Sequence, residues 1–457
     1  MLSLQLSDVA LWTRGSVHGA NVGVHGVFAD TRAPVAGGLF VALRGENFDA
    51  HDFVATAKRV GAAAALVARP VDVDIPHVVV MDTTMALGDL ASAIRAQRRA
   101  RVIGITGSNG KTTVKTLLAS ILALHGKTHV NAGNLNNEIG LPMSLLSLPT
   151  DAEFAVLEMG AGKHGDIAYL AAIARPEIGL ANNIAPAHLE RMGSLEGIAE
   201  TKGALYTTLP AQGVAVINTD DAFATFFTNL AGTRRVIRFG VRGDADVRAE
   251  NIRLGTETRF ELVVRKEHVE IALPLNGRHN VQNAIAAAAC AIALDVSIEL
   301  IKRGLESAPS VKGRLQRYAM PGGWTLIDDS YNANPGSTAA AIATLVSEPG
   351  EAWLVLGDMR ELGADAHALH AATGKLAHDS GIAKLYTVGD LSAAAAKAFG
   401  AKAQHFDSQR SLAATLAADV KPGVRVLVKG SRGSAMERVV HALRGEGETA
   451  GGARDAA

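Results

Sequence analysis

The chain has 457 residues, of which 48% are hydrophobic and 20% charged, and its 45 basic residues equal its 45 acidic ones. This length predicts two to four domains, each able to bury a core. The composition excludes a disordered chain and a polycation built to bind nucleic acid. One cysteine, Cys290, excludes an internal disulfide and indicates a reducing compartment. Its apolar surroundings, residues 284–294, are too short to span a membrane, so we expect a cytoplasmic protein that is not membrane-embedded.

In chain order, residues 1–98 mix short β-like runs ("GLFVAL", "AALVA", "HVVVM") with one helical stretch, "HDFVATAKRVGA". The basic run "RAQRRAR" is the expected linker to the next region. From there, strand candidates ("RVIGIT", "FAVLEMG", "EIGLANNI", "GVAVINTD") alternate with helical segments such as "TVKTLLASILALHG". This alternation predicts a mostly parallel sheet with helices on both faces.

A more irregular β-like region, at about residues 236–275, leads into an Ala-rich helix after "GRHNVQNA". The segment "KGRLQR" then precedes a second series of strands, each followed by a helical segment: "TLIDDSY", "AWLVLGDM", "KLYTVGD" and "RVLVKGS". The sequence therefore predicts an α/β protein of three domains: a small mixed domain (1–98), a central parallel-sheet domain with a phosphate loop (99–314) and a C-terminal Rossmann-like domain (315–445). Residues 446–457 have too little apolar content to pack, and we expect them to be disordered.

The stretch "GITGSNGKTTVK", residues 104–115, predicts a phosphate-binding loop with unusual spacing. The standard signature places four residues between its first glycine and the Gly-Lys pair, whereas Gly104 lies one residue too far from Gly110. A loop between a strand and a helix presents backbone N–H groups and a helix N-terminus to an anion, and the Gly-Lys-Thr ending disfavours a glycine turn that binds nothing. We expect Lys111 to act as a point charge and Thr112 as a Mg²⁺ ligand. The expected ATP-binding residues of the loop are Gly107, Ser108, Asn109, Gly110, Lys111, Thr112 and Thr113.

Other polar residues follow predicted strands or share a helix face. Glu158 ends one strand and His188 follows another, which places both at the crevice where open α/β sheets bind ligands. Asn280 and Asn283 are three residues apart on one helix face. Taken singly, each residue has a plainer interpretation. Glu158 could be a solvated glutamate, His188 a surface histidine, and Asn280 and Asn283 a helix cap and its neighbour. Lys202, in the segment "GIAETKGALYTTL", could be a solvent-facing lysine of an amphipathic helix.

The order of these segments along the chain resembles the Mur ligases, ATP-dependent enzymes that extend the peptide of the cell-wall precursor. The loop "TGSNGKTT", without the more distant glycine, is that family's form of the phosphate loop. The N-terminal "ADTRAPVAGGLFVALRGENFDAHDF" looks like the family's uridine-nucleotide-binding domain, although Ala50 replaces a frequent glycine. Within the family, "GNLNNEIGLP", "DDSYNANP" and "LGDMRELG" are together typical of the member that adds D-alanyl-D-alanine.

The resemblance implies a reaction and its cofactors. ATP would convert the terminal carboxylate of UDP-N-acetylmuramoyl-tripeptide into an acyl phosphate, which the amine of D-alanyl-D-alanine then attacks. Two Mg²⁺ ions are implied, one held by Thr112 and Glu158 and one by His188 and Lys202. An ammonium cannot ligate Mg²⁺, and in the family the equivalent lysine is carbamylated by CO₂, which supplies an oxygen ligand. We expect nearby positive charge and partial burial to favour the neutral amine of Lys202 that this needs.

The resemblance also assigns the remaining site residues. The implied catalytic residues are Lys111, Glu158, His188, Lys202, Arg314 and Asp329. Beyond the loop, the implied ATP contacts are Asn280, Asn283, Arg314 and Asp329. The implied substrate contacts are Thr31, Arg32, Asn47, Asn136, Asn137, Tyr331, Asn332, Asn334, Arg360, Lys429 and Arg432. Because residues of the third domain must reach ATP, we expect closure about a hinge near residues 312–316.

Two other functions stay open from the sequence. One is another ligase of the same family, the tripeptide-forming enzyme or a folylpolyglutamate synthase. The UDP-like segment argues against the folate enzyme, and "DDSYNANP" argues against the tripeptide-forming one. The other is a P-loop kinase or nucleotide-gated binding module, and a kinase would leave a stable phosphorylated product. We expect a monomer without a nucleic-acid partner. The third residue of the acceptor peptide, meso-diaminopimelate or lysine, stays open as well.

Overall fold

The structure is a computed structural model that describes residues 3–45, 48–186, 189–255 and 257–446. Asn47 and His188, two of the predicted site residues, lie outside these ranges. The segment expected to be disordered, residues 446–457, lies outside them except for its first residue. Among the described residues, no helix is both long and apolar enough to cross a bilayer.

The N-terminal region carries a five-stranded sheet of order β2-β7-β6-β5-β4, beside a separate β1–β3 pair. Its strands are β1 (Leu4–Gln5), β2 (Ser16–His18), β3 (Gly23–Val24), β4 (Val27–Phe28), β5 (Leu39–Val41), β6 (Ala64–Val67) and β7 (His77–Val79), and its helices are α1 (Leu6–Thr13), α2 (Val54–Arg59) and α3 (Thr83–Ala96). Strands β4 to β7 run parallel, and β2 is antiparallel to β7.

The prediction of a single helix in this region was wrong, because α1 and α3 are also present. Helix α3 begins after Asp82, whose carboxylate accepts hydrogen bonds from the backbone N–H groups of Thr84 and Met85. The expected linker is partly helical, since α3 continues to Ala96. Arg95 is buried and donates through Nε to the carbonyl of Ala174 at 2.8 Å. Helix α3 therefore joins the N-terminal region to the central one.

The central region is a nine-stranded sheet of order β16-β15-β14-β13-β12-β11-β8-β10-β9. Its strands are β8 (Arg101–Thr106), β9 (Thr128–Val130), β10 (Phe154–Glu158), β11 (Ile178–Ala181), β12 (Val214–Asn218), β13 (Arg235–Gly240), β14 (Val247–Arg253), β15 (Thr258–Val264) and β16 (Glu267–Leu273). Its helices are α4 (Lys111–Ala123), α5 (Gly140–Leu146), α6 (Asp166–Ala174), α7 (Leu189–Met192), α8 (Leu195–Thr208), α9 (Ala224–Ala231), α10 (Arg278–Ile292) and α11 (Ile298–Glu306).

Strands β8 to β14 run parallel, as the alternating pattern predicts, so their carboxyl ends meet along one edge of the sheet. The irregular β-like region forms the antiparallel extension β14–β15–β16. Helix α10 packs into the core against α4, and its small side chains from Ala284 to Ala291 allow the close approach. Cys290 is fully buried there, as expected of a core residue.

The C-terminal region is a six-stranded sheet of order β17-β18-β22-β19-β20-β21, parallel except for the β17–β18 hairpin. Its strands are β17 (Gln316–Met320), β18 (Trp324–Asp329), β19 (Ala352–Gly357), β20 (Lys384–Val388), β21 (Ala403–Phe406) and β22 (Arg425–Lys429), and its helices are α12 (Pro335–Val346), α13 (Ala366–Asp379), α14 (Ala393–Phe399), α15 (Gln409–Asp419) and α16 (Glu437–Leu443). Asp329 and Lys429 lie opposite each other where β18 and β22 end.

Candidate active site

The loop between β8 and α4 requires glycine at Gly110. This residue has φ of +81°, and a Cβ there would lie 2.2 Å from Asn283 Oδ1 and 2.6 Å from Asn182 Nδ2. The ammonium of Lys111, the first residue of α4, donates to the carbonyl of Gly107 at 2.8 Å. The loop therefore adopts a compact turn over the N-terminus of α4.

Two asparagines that follow β11 fix the loop from the neighbouring strand. The carbonyl of Asn183 accepts a hydrogen bond from the backbone N–H of Ser108, and its Oδ1 accepts one from the backbone N–H of Asn109, both at 2.9 Å. Asn182 Nδ2 donates to the carbonyl of Asn109 at 3.0 Å. Neither asparagine was predicted from the sequence as a site residue. Their position directly after a strand, like that of Glu158, is the signal that could have found them.

Glu158 is the buried carboxylate of the site, with 3% of its surface exposed. Thr112 Oγ1 donates to its Oε2 at 2.9 Å, Asn136 Nδ2 donates to its Oε1 at 2.8 Å, and Lys115 Nζ lies 3.5 Å from its Oε2. Burial works to raise the pKa of Glu158, but the positive charges of Lys111 and Lys115 and these hydrogen bonds outweigh it, so the pKa lies below its usual value. The carboxylate is therefore ionised at neutral pH.

Lys115 is a site residue that the sequence analysis did not assign. It is 5% exposed and donates to the carbonyls of Asn131 at 2.8 Å and Gly133 at 3.2 Å. Asn131 in turn exchanges hydrogen bonds with the backbone of Glu158. The spacing of Lys115 and Lys111, one helical turn apart on α4, was the available signal.

Lys202 lies on α8 with 1% of its surface exposed, so it is not the solvent-facing lysine of the plainer interpretation. Burial, followed by the charge of Lys111, lowers its pKa to about 7, although Asp166 acts in the opposite direction. The amine is thus substantially neutral at physiological pH. Its expected partner at a metal, His188, lies outside the described residues.

The C-terminal region contributes a buried ion pair. Lys429 Nζ donates to Asp329 Oδ2 at 2.6 Å and to the carbonyl of Asn332 at 2.9 Å. The other oxygen of Asp329 accepts from the backbone N–H of Leu315 at 3.2 Å. This pair fixes the start of the segment 329–334 against the residues that precede β17.

A cavity of about 610 Å³ lies between the central and C-terminal regions. Arg314 stacks over the ring of Tyr331, with Cζ 4.3 Å from the ring centroid, and Asn334 Nδ2 donates to Asn109 Oδ1 at 2.8 Å across the two regions. The predicted site residues that line this cavity are Ser108, Asn109, Gly110, Lys111, Asn136, Asn137, Glu158, Arg314, Tyr331, Asn332 and Asn334.

Other predicted residues lie away from the cavity wall. Asn280 and Asn283 lie behind the loop, where Asn283 Oδ1 accepts from Asn182 Nδ2 at 3.0 Å. In the N-terminal region, Arg32 forms a solvent-exposed ion pair with Asp30. The predicted residues that do not line the cavity are Thr31, Arg32, Gly107, Thr112, Thr113, Lys202, Asn280, Asn283, Asp329, Arg360, Lys429 and Arg432.

Comparison with known proteins decides the family. The Mur ligase middle domain model matches residues 105–291, and the model of the Mur ligase glutamate ligase domain matches residues 313–432. An Escherichia coli relative named UDP-N-acetylmuramoyl-tripeptide–D-alanyl-D-alanine ligase is 43% identical, over 98% of this chain and 100% of its own. The chain belongs to the Mur ligase family. A Haemophilus influenzae Mur ligase of the same name is 37% identical, over 93% of this chain and 94% of its own.

Solved structures of Mur ligases agree. A crystal structure of MurF from Acinetobacter baumannii superposes with a TM-score of 0.92 at 35% identity, covering 97% of this chain and 99% of that one. The structure of MurF from Thermotoga maritima in complex with ADP superposes with a TM-score of 0.82 at 29% identity, covering 93% of this chain and 98% of that one. The expected family and the α/β three-domain fold class are confirmed.

The Mur ligase loop gives a first prediction. Gly110→Ala should weaken ATP binding by about tenfold or more, because a Cβ would overlap Asn283 and overpacking costs about 1–3 kcal/mol. Isothermal titration with ATP measures this. Gly23→Ala is the control, since its Cβ would meet only Gln5 Nε2, at 3.7 Å. Equal affinity in both variants would contradict the geometry of the loop.

Proposed function

We propose that this chain is an ATP-dependent ligase that adds D-alanyl-D-alanine to UDP-N-acetylmuramoyl-tripeptide in peptidoglycan synthesis. Similarity over the full chain to relatives of that name carries the proposal. The cavity supports it, because the phosphate loop and the segment 331–334 face each other across one space. No finding favours a kinase or the tripeptide-forming ligase.

The reaction needs a carboxylate to attack the γ-phosphate of ATP. Both are anions, so cations must offset their repulsion. Lys111 and Arg314, which line the same cavity, would do this. The acyl phosphate then accepts the amine of the dipeptide: a C–N bond forms, the C–O bond to phosphate breaks, and the amine gives up a proton.

Mg²⁺ fits the residues at the loop. The hydroxyl of Thr112 and the ionised carboxylate of Glu158 lie 2.9 Å apart and are oxygen ligands of the kind that Mg²⁺ prefers. They would hold the ion of the nucleotide, which supplies charge neutralisation at the phosphates. Lys115 and Asn136 orient the carboxylate for this task.

A second Mg²⁺ would be held by His188 and a carbamylated Lys202. The lowered pKa of Lys202 supports this, because only a neutral amine adds CO₂. The neutral amine would add CO₂ and release one proton, and the resulting carbamate would offer oxygen ligands to the metal. Burial also protects the carbamate from water.

We assign substrates to the three domains as follows. Residues 1–98 would take the uridine nucleotide through Thr31, Arg32 and Asn47, and residues 99–314 would hold ATP, with Asn280 and Asn283 at the adenine. Residues 315–445 would take D-alanyl-D-alanine and close on ATP. The proposed contacts of the peptide substrates are Asn136, Asn137, Tyr331, Asn332, Asn334, Arg360, Lys429 and Arg432, with Asp329 at the nucleotide. We infer that the enzyme acts as a cytoplasmic monomer.

Phosphate release tests the function. With ATP, Mg²⁺ and UDP-N-acetylmuramoyl-tripeptide present, release should depend on D-alanyl-D-alanine. The nucleotide product should gain the mass of the dipeptide less one water. Lys111→Ala should abolish phosphate release, which would show that the release depends on the phosphate loop. Release that ignores the dipeptide, or a stable phosphorylated product, would contradict the ligase.

The state of Lys202 can be measured directly. In protein equilibrated with ¹³C-bicarbonate, a ¹³C NMR carbamate signal should grow as the pH rises through about 7, because the amine loses its proton there. Lys202→Ala should lack the signal, whereas the exposed Lys421→Ala should keep it. A signal of equal size in both variants would show that Lys202 is not carbamylated.

A further inference from the structure

A chain of side-chain amides runs behind the phosphate loop. Asn182 Nδ2 donates to the carbonyl of Asn109 and to Asn283 Oδ1, both at 3.0 Å. Asn283 Nδ2 donates to Asn280 Oδ1 at 3.1 Å, and Asn280 Nδ2 donates to the carbonyl of Asn276 at 2.8 Å. Both asparagines proposed to bind adenine therefore have their own orientation fixed by neighbours.

The chain of side-chain amides ends on the backbone carbonyl of Asn276, and the side chain of the same residue reaches a carboxylate of the C-terminal region. Asn276 Nδ2 donates to Glu348 Oε1 at 3.1 Å. Glu348 is 8% exposed and accepts two hydrogen bonds from Arg317, at 2.6 and 2.8 Å, while Arg425 lies 3.9 Å away. Paired arginines hold the carboxylate in one position, so Asn276 meets a fixed acceptor.

A second, independent observation shows that the segment before α10 packs against α12. Gly277, the residue after Asn276, has φ of +99°, and a Cβ there would lie 2.5 Å from Thr344 Oγ1 on α12. The start of α10 and the last turn of α12 are therefore in direct contact. At the other end of α12, its N-cap Asn334 donates to Asn109.

The two contacts lie at opposite ends of one rigid element. Helix α12 has 12 residues, which is about 18 Å at 1.5 Å per residue. Asn334 meets the phosphate loop at one end, and Glu348 meets the segment before α10 at the other. A rotation of the C-terminal region that opened the cavity would break at least one of them.

We propose that Glu348 is a positioning residue of the ligation reaction, which acts through Asn276 to orient Asn280 and Asn283. The inference rests on the proposed function, since it needs ATP at these two asparagines. Glu348 touches no substrate; it sets the geometry of residues that do. Arg317, which immediately follows the expected hinge at residues 312–316, couples the hinge to the same carboxylate.

Binding of ATP to the full chain with Mg²⁺, measured by isothermal titration, tests the inference. Asn276→Ala should raise the Kd for ATP about tenfold, because the segment before α10 loses its contact with Glu348 and the carbonyl of residue 276 is then free to shift away from Asn280. Its Kd for UDP-N-acetylmuramoyl-tripeptide should stay unchanged, which a general loss of structure would not allow. Asn229→Ala, an exposed asparagine on α9, is the matched control and should bind ATP normally.

A double-mutant cycle then tests the route. If Glu348 acts through Asn276, adding Glu348→Ala to Asn276→Ala should weaken ATP binding little further. Glu348→Gln, which can still accept from Asn276, should recover most of the affinity lost in Glu348→Ala. Additive losses would overturn the proposal. If Glu348→Ala fails to fold, the variants Asn276→Ala and Asn276→Asp test the proposal by themselves. An unchanged Kd for ATP in both variants would then overturn the role of Glu348.

The outcomes separate this inference from the function on which it rests. An unaltered protein that does not bind ATP overturns both. ATP binding and dipeptide-dependent phosphate release that are intact in every variant leave the ligase standing and overturn the role of Glu348.

Discussion

The candidate site depends on a single ionised carboxylate, Glu158, buried at the carboxyl end of a central strand. Burial of a charge is costly unless partners compensate, and here Lys111, Lys115, Thr112 and Asn136 provide the compensation. These partners come from α4 and from the loop before α5, so the carboxylate fixes both segments relative to β10. The same arrangement concentrates positive charge at the phosphate loop. Burial, together with the charge of Lys111, lowers the pKa of the neighbouring Lys202, and the positive charge at the loop would offset the charges of two reacting anions.

The sequence predicted those parts of the site that follow from local pattern. Alternating strands and helices imply a parallel sheet, and a parallel sheet gathers the residues after its strands at one edge, which is why Glu158 and the phosphate loop were predictable. Burial of side chains was not predictable in this way. Lys202 lies on a helix predicted to be amphipathic, and that pattern by itself favoured a solvent-facing lysine. The contact of Asn276 with Glu348 joins residues 72 positions apart. Such contacts depend on how α10 and α12 pack, which no local period records.

The contacts between the central and C-terminal regions lie beside the cavity proposed for the chemistry. Helix α12 meets the central region at both of its ends, through Asn334 and through the residues around Glu348, and the cavity lies beside it. The cation Arg314, on the hinge, is held over Tyr331. In the proposed reaction, the cation that Arg314 supplies at the γ-phosphate would be carried by the segment expected to act as the hinge. Charge neutralisation would then be complete only when both substrates are enclosed, and water would be kept from the acyl phosphate.

Transfer of oxygen from the substrate carboxylate to phosphate would show whether the carboxylate is activated as an acyl phosphate. UDP-N-acetylmuramoyl-tripeptide labelled with ¹⁸O in its terminal carboxylate is turned over with ATP and D-alanyl-D-alanine, and the released phosphate is analysed by mass. Activation through an acyl phosphate requires that each phosphate carry one oxygen from the carboxylate. Phosphate without the label would contradict the account, because the carboxylate would then never have been bonded to phosphorus.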